Sequence, residues 1–173
     1  MGIGIWVSCN CWERGLCKPC PIDMKFLDPP NEEHDWLSVK IGLPLPLEEA
    51  QAVNQAFDAW RATACEHPNG NAFSGRLGSY SFAGHLEKDI AHLTTSDDSV
   101  LLRVMEDINL ANATSNDCED SDFILEDLDR LNALDPLDSY WAGVKTEFVR
   151  EALKCIRDAA AMSVAMQKNM HWG

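Results

Sequence analysis

Positive charge is scarce in this sequence. Its 173 residues hold 14 Lys and Arg against 28 Asp and Glu, a formal net charge of −14. A protein that tracks a phosphate backbone needs the opposite balance, so the composition argues against direct nucleic-acid binding. Long apolar runs are missing too. None approaches the roughly 20 residues needed to cross a bilayer, so no membrane association through a spanning helix is expected. The opening Met1-Gly-Ile-Gly-Ile-Trp-Val has no basic stretch, and its apolar run stops at Ser8. No secretory leader is expected, and the chain reads as cytoplasmic. There is no Gly-rich phosphate loop, since Gly75-Arg76-Leu77-Gly78 lacks the Walker spacing. There is also no internal repeat, and no linker rich enough to argue for two domains.

A hydrophobic content of 46% excludes a disordered acidic tail. The length suits one domain with a sizeable core. The acidity is uneven. Residues 1–86 carry 6 basic and 10 acidic groups, and residues 87–173 carry 8 and 18. Between Asp117 and Asp138 there are nine acids and one base. Such a patch suits a basic protein partner, because complementary charge speeds and orients encounter. Solubility alone is the simpler use of the same charge.

Alternation of Ile3, Ile5 and Val7 with Gly2, Gly4 and Trp6 predicts a strand over Gly2–Cys9. Residues 10–35 are broken by Pro19, Pro21, Pro29 and Pro30. Leu37, Val39, Ile41 and Leu43 alternate again, predicting a second strand that pairs with the first. Helical spacing predicts five helices. The first spans Leu47–Ala64, with Ala50, Val53, Phe57, Trp60 and Ala64 on one face. The second spans Tyr80–Leu93, with Ala83, Leu86, Ile90 and Leu93 inward. The third spans Asp98–Leu110, with Leu101, Val104, Met105 and Ile108 inward and Asp97 or Asp98 as its cap. Residues 111–122 read as an exposed polar loop. The fourth helix spans Phe123–Leu134 on Ile124, Leu128 and Leu131. The fifth spans Ser139–Asn169 on Val144, Phe148, Ala152, Cys155, Ile156, Ala159 and Met162. The expected fold class is therefore α+β and mainly helical, with a short N-terminal strand pair packed on a multi-helix body. One domain, 1–173, is expected, with a strand and loop metal-binding region at 1–46 and a helical body at 47–173. Ile5, Val39, Phe57, Trp60, Leu86, Leu101 and Phe148 are expected in the core.

Seven cysteines stand out against this background, four of them within twelve residues: Cys9, Cys11, Cys17 and Cys20. Cys65-Glu66-His67 lies downstream. In a reducing compartment such thiols are metal ligands or free rather than bridged, and an odd count fits a fully paired framework poorly. Zinc takes four thiolate or imidazole ligands in a tetrahedron. Two sets can supply them. One is the local Cys9, Cys11, Cys17 and Cys20. The other is Cys9, Cys11, Cys65 and His67, which staples the end of the first strand to the end of the first helix. The alternative is that these thiols are small buried hydrophobes and His67 a turn residue, as Cys118 and Cys155 are read. A catalytic reading is weaker. Cys65 and His67 are too close in sequence for an ordinary nucleophile–base pair, and His34, His85, His92 and His171 are scattered, with no third group evident where His85 and His92 could share a helix face. No catalytic residue is assigned.

The order Cys9-Asn10-Cys11, Gly15, Pro29-Pro30, Trp60, Cys65-Glu66-His67-Pro68, Arg76-Leu77-Gly78-Ser79-Tyr80 and Leu125-Glu126-Asp127-Leu128 resembles a family of small uncharacterised bacterial proteins. Its members open with a strand into Cys-x-Cys and continue through a helix ending in Trp…Cys-Glu-His-Pro, and they look like immunity proteins of toxin systems. The resemblance covers about residues 1–134. Cys17 and Cys20 lie outside its pattern, which favours the set with Cys65 and His67 and leaves Cys17 and Cys20 as the alternative. It implies a cytoplasmic protein that binds a cognate basic toxin domain and neutralises it by occlusion. The surface read for that role is Asp117, Glu119, Asp120, Asp122, Glu126, Asp127 and Asp129. The runner-up is a zinc-stabilised regulatory or adaptor protein, with an enzyme behind both. After residue 134 this chain departs from the pattern, with a long Ala- and Met-bearing helix where strands are expected.

Overall fold

A computed structural model describes residues 2–31, 36–93, 99–110, 115–133 and 146–173. The side chains of residues 92, 93, 132, 133, 146 and 147 lie outside that description. The fold is α+β and mainly helical, as the periodicity predicts. Six strands are described: β1 Ile3–Ser8, β2 Leu27–Asp28, β3 Ser38–Val39, β4 Asn71–Gly78, β5 Ser115–Asn116 and β6 Met170–Trp172. The helices are α1 Leu47–Arg61, α2 Tyr80–Leu93, α3 Val100–Leu110, α4 Ser121–Ala133 and α5 Thr146–Met166. The chain clusters into two compact units. One is Met1–Val7 with Phe73–Gly173, and the other is Ser8–Ala72.

The first unit is built around a four-stranded antiparallel sheet in the order β4-β1-β6-β5. Ile5 pairs with Trp172, and Val7 with Met170. Alternation along β1 sends Ile3, Ile5 and Val7 into the core, where Leu86, Ile90, Leu101, Met105, Ile108, Ile124 and Ile156 are also fully buried. Each amphipathic stripe read for α3 and α4 is buried, as are Ala83, Leu86 and Ile90 of α2. The position of Leu93 falls outside the described side chains, and Asp97 and Asp98 fall outside the described residues. Instead, the start of α3 is held by Ser99 Oγ, which accepts from Leu102 N at 3.1 Å. The carboxylate of Asp127, reaching from α4, accepts from Leu101 N at 3.2 Å. An acid at a helix start satisfies free N–H groups and complements the helix dipole.

Four expectations are corrected here. β1 does not pair with the segment near Leu37. Its neighbours are β4 and β6, while β3 pairs with β2, Leu27 opposite Val39. Phe148 is 52% exposed rather than buried. The buried stripe of α5 runs through Val149, Ala152, Ile156, Ala159 and Ser163, and one residue along a helix turns the side chain by about 100° away from that face. Val39 is half-buried at the sheet edge. The expected helical stretch 139–145, with Val144, lies outside the described residues. At its other end α5 stops at Met166 rather than near Asn169. Gln167 takes a left-handed φ of 54°, and Lys168 N bonds back to Ser163 O at 3.2 Å, so the chain turns into β6.

The second unit packs α1 and the strand pair β2–β3 around Cys9, Cys11, Leu27, Trp36, Leu37, Phe57, Trp60 and Ala64. Trp60 is its hub. Its ring lies 5.7 Å from Trp36, 5.6 Å from Phe57 and 6.1 Å from Trp12, the last edge-on. Offset and edge contacts of this kind add to the apolar area each ring buries. Trp60→Ala is expected to lower stability by about 3–5 kcal/mol in chemical denaturation. A loss below about 1 kcal/mol would contradict the hub role.

Candidate metal centre

Each arm of the centre is a pair of donors two residues apart. Cys9-Asn10-Cys11 leaves the end of β1 into a turn, closed by Arg14 N donating to Asn10 O at 3.1 Å and Leu16 N donating to Cys11 O at 2.9 Å, and Cys65-Glu66-His67 is a run of bends after α1. What brings the arms together is the backbone running on from β1 and into β4. Cys9 N donates to Gly70 O at 2.8 Å. The turn that makes this possible is Pro68-Asn69-Gly70. Asn69 has φ 58° and Gly70 φ 73°, two successive left-handed residues, which Asn tolerates and Gly adopts freely. Gly70 is also sterically required, because a Cβ there would lie 2.9 Å from the Trp36 ring. Arg61 Nε donates to Asn69 O at 2.9 Å, and its guanidinium sits 5.2 Å over Trp36, so the end of α1 holds the turn in place.

The donor atoms of Cys9, Cys11, Cys65 and His67 all lie within 4.8 Å of one another. Cys9 Sγ is 3.7 Å from Cys65 Sγ, and Cys11 Sγ is 3.3 Å from His67 Nδ1. A tetrahedral zinc ion with ordinary bond lengths separates two sulfurs by about 3.8 Å and a sulfur from a nitrogen by about 3.6 Å. A disulfide would need about 2.05 Å. These two spacings are near those of ligands around one ion and too long for a bridge. Cys9 and Cys11 are 0% and 2% exposed, while Cys65 and His67 are half-buried. These residues could hold a metal ion.

Of the alternative pair, Cys17 and Cys20 are half-buried and pack against the same cluster, but neither belongs to the four-donor set. The loop that carries Cys17 is fixed on both sides. Leu16 N donates to Cys11 O at 2.9 Å, and Lys18 N to Ala64 O at 2.7 Å. Lys18 O in turn accepts from Trp60 Nε1 at 3.2 Å. Cys155 is elsewhere, in the first unit, with its sulfur where a Cβ on Gly75 would stand.

Burial dominates the electrostatics. It pushes the Cys11 thiol up to about 12, and the sulfurs of Cys9 and Cys65 add to the shift. The Cys17 thiol is pushed up to about 11, by burial and then by Cys65 and Cys9. The Cys9 thiol is also raised, with burial the first cause. Metal-free, these groups are neutral thiols at physiological pH. Their neutral form favours the fold below the ordinary value of 9.0, and that contribution is lost as pH rises toward about 12.

The residues read as a partner surface lie in the other unit, and they divide. Asp117, Glu119, Asp122, Glu126 and Asp129 are exposed. Asp120 is half-buried and ion-paired with Arg103. Glu126 pairs with Arg130 at 3.5 Å, and Asp129 with Arg157 at 2.7 Å. Asp127 is 8% exposed, and its carboxylate accepts from Ser99 Oγ and Leu101 N. That residue caps a helix and offers little to a partner. Sequence reasoning missed Trp12, Trp36, Asn69 and Gly70 as supports of the centre. The Pro-Asn-Gly turn was the one legible signal among them.

No protein-family model, curated protein or solved structure matches the chain.

Because the raised Cys9 and Cys11 thiols are protonated before a metal enters, binding must displace their protons. Metal affinity is expected to rise with pH, by up to about tenfold per unit for each proton displaced, so with a slope of about two in log K against pH above neutrality from these two thiols. Competition against a chelator of known affinity at several pH values measures it. A slope near zero would exclude the thiols as ligands.

Proposed function

We propose that the chain is a protein-binding module held together by a structural zinc ion at Cys9, Cys11, Cys65 and His67. We further propose that it acts as an immunity-like inhibitor, neutralising a cognate basic toxin domain by covering it. The observation that carries the zinc reading is the closed set of four donors within 4.8 Å. Three thiolates and one imidazole are the ligands zinc selects in structural sites, and four protein ligands leave no open position for a substrate. That supports a stabilising ion rather than an enzyme centre. The ion would supply folding energy by joining Cys9 and Cys11 to Cys65 and His67 across more than fifty residues of chain.

The partner reading is supported by charge. Asp117, Glu119 and Asp122 are exposed at the start of α4, within the more acidic half of the chain. Clustered acids raise the encounter rate with a basic surface. A zinc-stabilised adaptor using its last helix is the alternative, and exposed Phe148 and Val164 on α5 favour it.

The test is co-expression with the product of the adjacent gene, followed by binding kinetics at several salt concentrations. The association rate is expected to fall steeply between 0.05 and 0.5 M salt, as the screening length shrinks below about 10 Å. Asp117→Asn, Glu119→Gln and Asp122→Asn together are expected to slow association about tenfold or more at low salt while leaving the melting temperature unchanged. Asp127 is left intact in this variant because it caps α3. Binding that ignores both salt and the triple substitution, or a neighbour that does not bind, would contradict the inhibitor reading.

A further inference from the structure

We infer that Cys17 and Cys65 form an oxidative modification site, where a peroxide joins the two thiols in a disulfide and so removes one donor from the Cys9, Cys11, Cys65 and His67 set. The consequence for a metal rests on the zinc reading above; the bond itself does not.

Placement is the first argument. Lys18 N is bonded to Ala64 O at 2.7 Å, so the residues next to Cys17 and next to Cys65 are held against each other. Leu16 N is bonded to Cys11 O on the other side, and Trp60 Nε1 grips Lys18 O. The Cys17 and Cys65 side chains both pack against the cluster that holds Cys9, Cys11 and Ala64. These contacts leave the loop little freedom to carry Cys17 away, so the two thiols meet without a large rearrangement.

Access is the second. Cys9 and Cys11 are buried, at 0% and 2% exposure, while Cys17 and Cys65 are half-buried. A small oxidant arriving from solvent therefore reaches Cys65 among the donors before Cys9 or Cys11. Chemistry is the third. A thiol reacts through its thiolate form, with or without a metal, and Cys17 is a neighbouring thiol outside the four-donor set, in the position of a resolving cysteine.

The step balances with hydrogen peroxide as the oxidant. The Cys65 thiolate attacks one peroxide oxygen, giving a sulfenic acid and hydroxide. The Cys17 sulfur then attacks the Cys65 sulfur, the S–O bond breaks, and the hydroxyl leaves as water with the Cys17 proton. Two thiols lose two electrons in total, and the peroxide is reduced to two waters once the hydroxide takes up a proton. Cys9, Cys11 and His67 remain, one donor short of a tetrahedral site. A thiol reductant reverses the bond.

The test treats the full chain, as purified, with hydrogen peroxide. Remaining thiols are then alkylated and the bridges mapped by peptide mass spectrometry, while released zinc is read with a chromophoric chelator. The expected result is a Cys17–Cys65 cross-linked peptide, alkylated Cys9 and Cys11, and about one zinc released per bridge formed. Cys17→Ser should abolish both the bridge and the peroxide-driven release. A dominant Cys9–Cys65 or Cys17–Cys20 bridge, or no bridge at all, overturns the inference, and the wild-type map decides this even where Cys17→Ser folds poorly. Protein that carries no metal sinks the zinc reading alone, because the bridge map still decides where the disulfide forms.

Discussion

The hydrogen bond from Cys9 N to Gly70 O is the contact on which the centre depends. It fixes the register between the chain leaving β1 and the chain entering β4. In that register two dipeptide-spaced pairs, far apart in sequence, present three sulfurs and one ring nitrogen to a common point. A shift of one residue would break this bond and move one arm away from the other. The left-handed Asn69-Gly70 turn and the Trp36 ring against Gly70 make that shift costly. Register, turn and aromatic packing are thus three parts of one constraint.

The shell around the donors bears on how they could hold an ion. Trp12, Trp36, Phe57 and Trp60 exclude water from the side of α1, and burial raises the thiols so that they stay neutral. Sulfurs 3.7 Å apart hydrogen-bond weakly and contribute little to holding the arms. A cation that converts them to thiolates replaces weak contacts with strong bonds at the same spacing. A bound metal would therefore stabilise the cluster. The acids obey a similar logic in the other unit. Arg103, Arg130 and Arg157 already occupy several of them, and Asp127 has been taken into the fold as a helix cap. Only part of the charge counted along the chain is therefore available at the surface.

Much of this was legible in the residues, for physical reasons. Strong periodicity on apolar positions placed α1 to α4 within about three residues at each end, and the Cys-x-Cys and Cys-x-His spacings pointed to the donor set. β4 was not legible because Asn71–Gly78 has little alternation and holds two glycines, one of them required by the sulfur of Cys155. β6 was hidden because α5 ends on Gln167 in a left-handed conformation that no glycine announces. Phe148 misled because a large apolar residue near a stripe looks like part of it, while the smaller Val149 and Ala152 face the core. Asp127 misled because its neighbours in sequence are exposed acids, whereas its hydrogen bonds go to Ser99 and Leu101, reached only through the fold.

X-ray absorption at the zinc edge on protein purified without chelator tests the central claim most directly. The account predicts one zinc per chain, with three sulfurs at about 2.3 Å and one nitrogen at about 2.0 Å in the first coordination sphere. Four sulfurs, a shell dominated by oxygen, or no bound metal would contradict it.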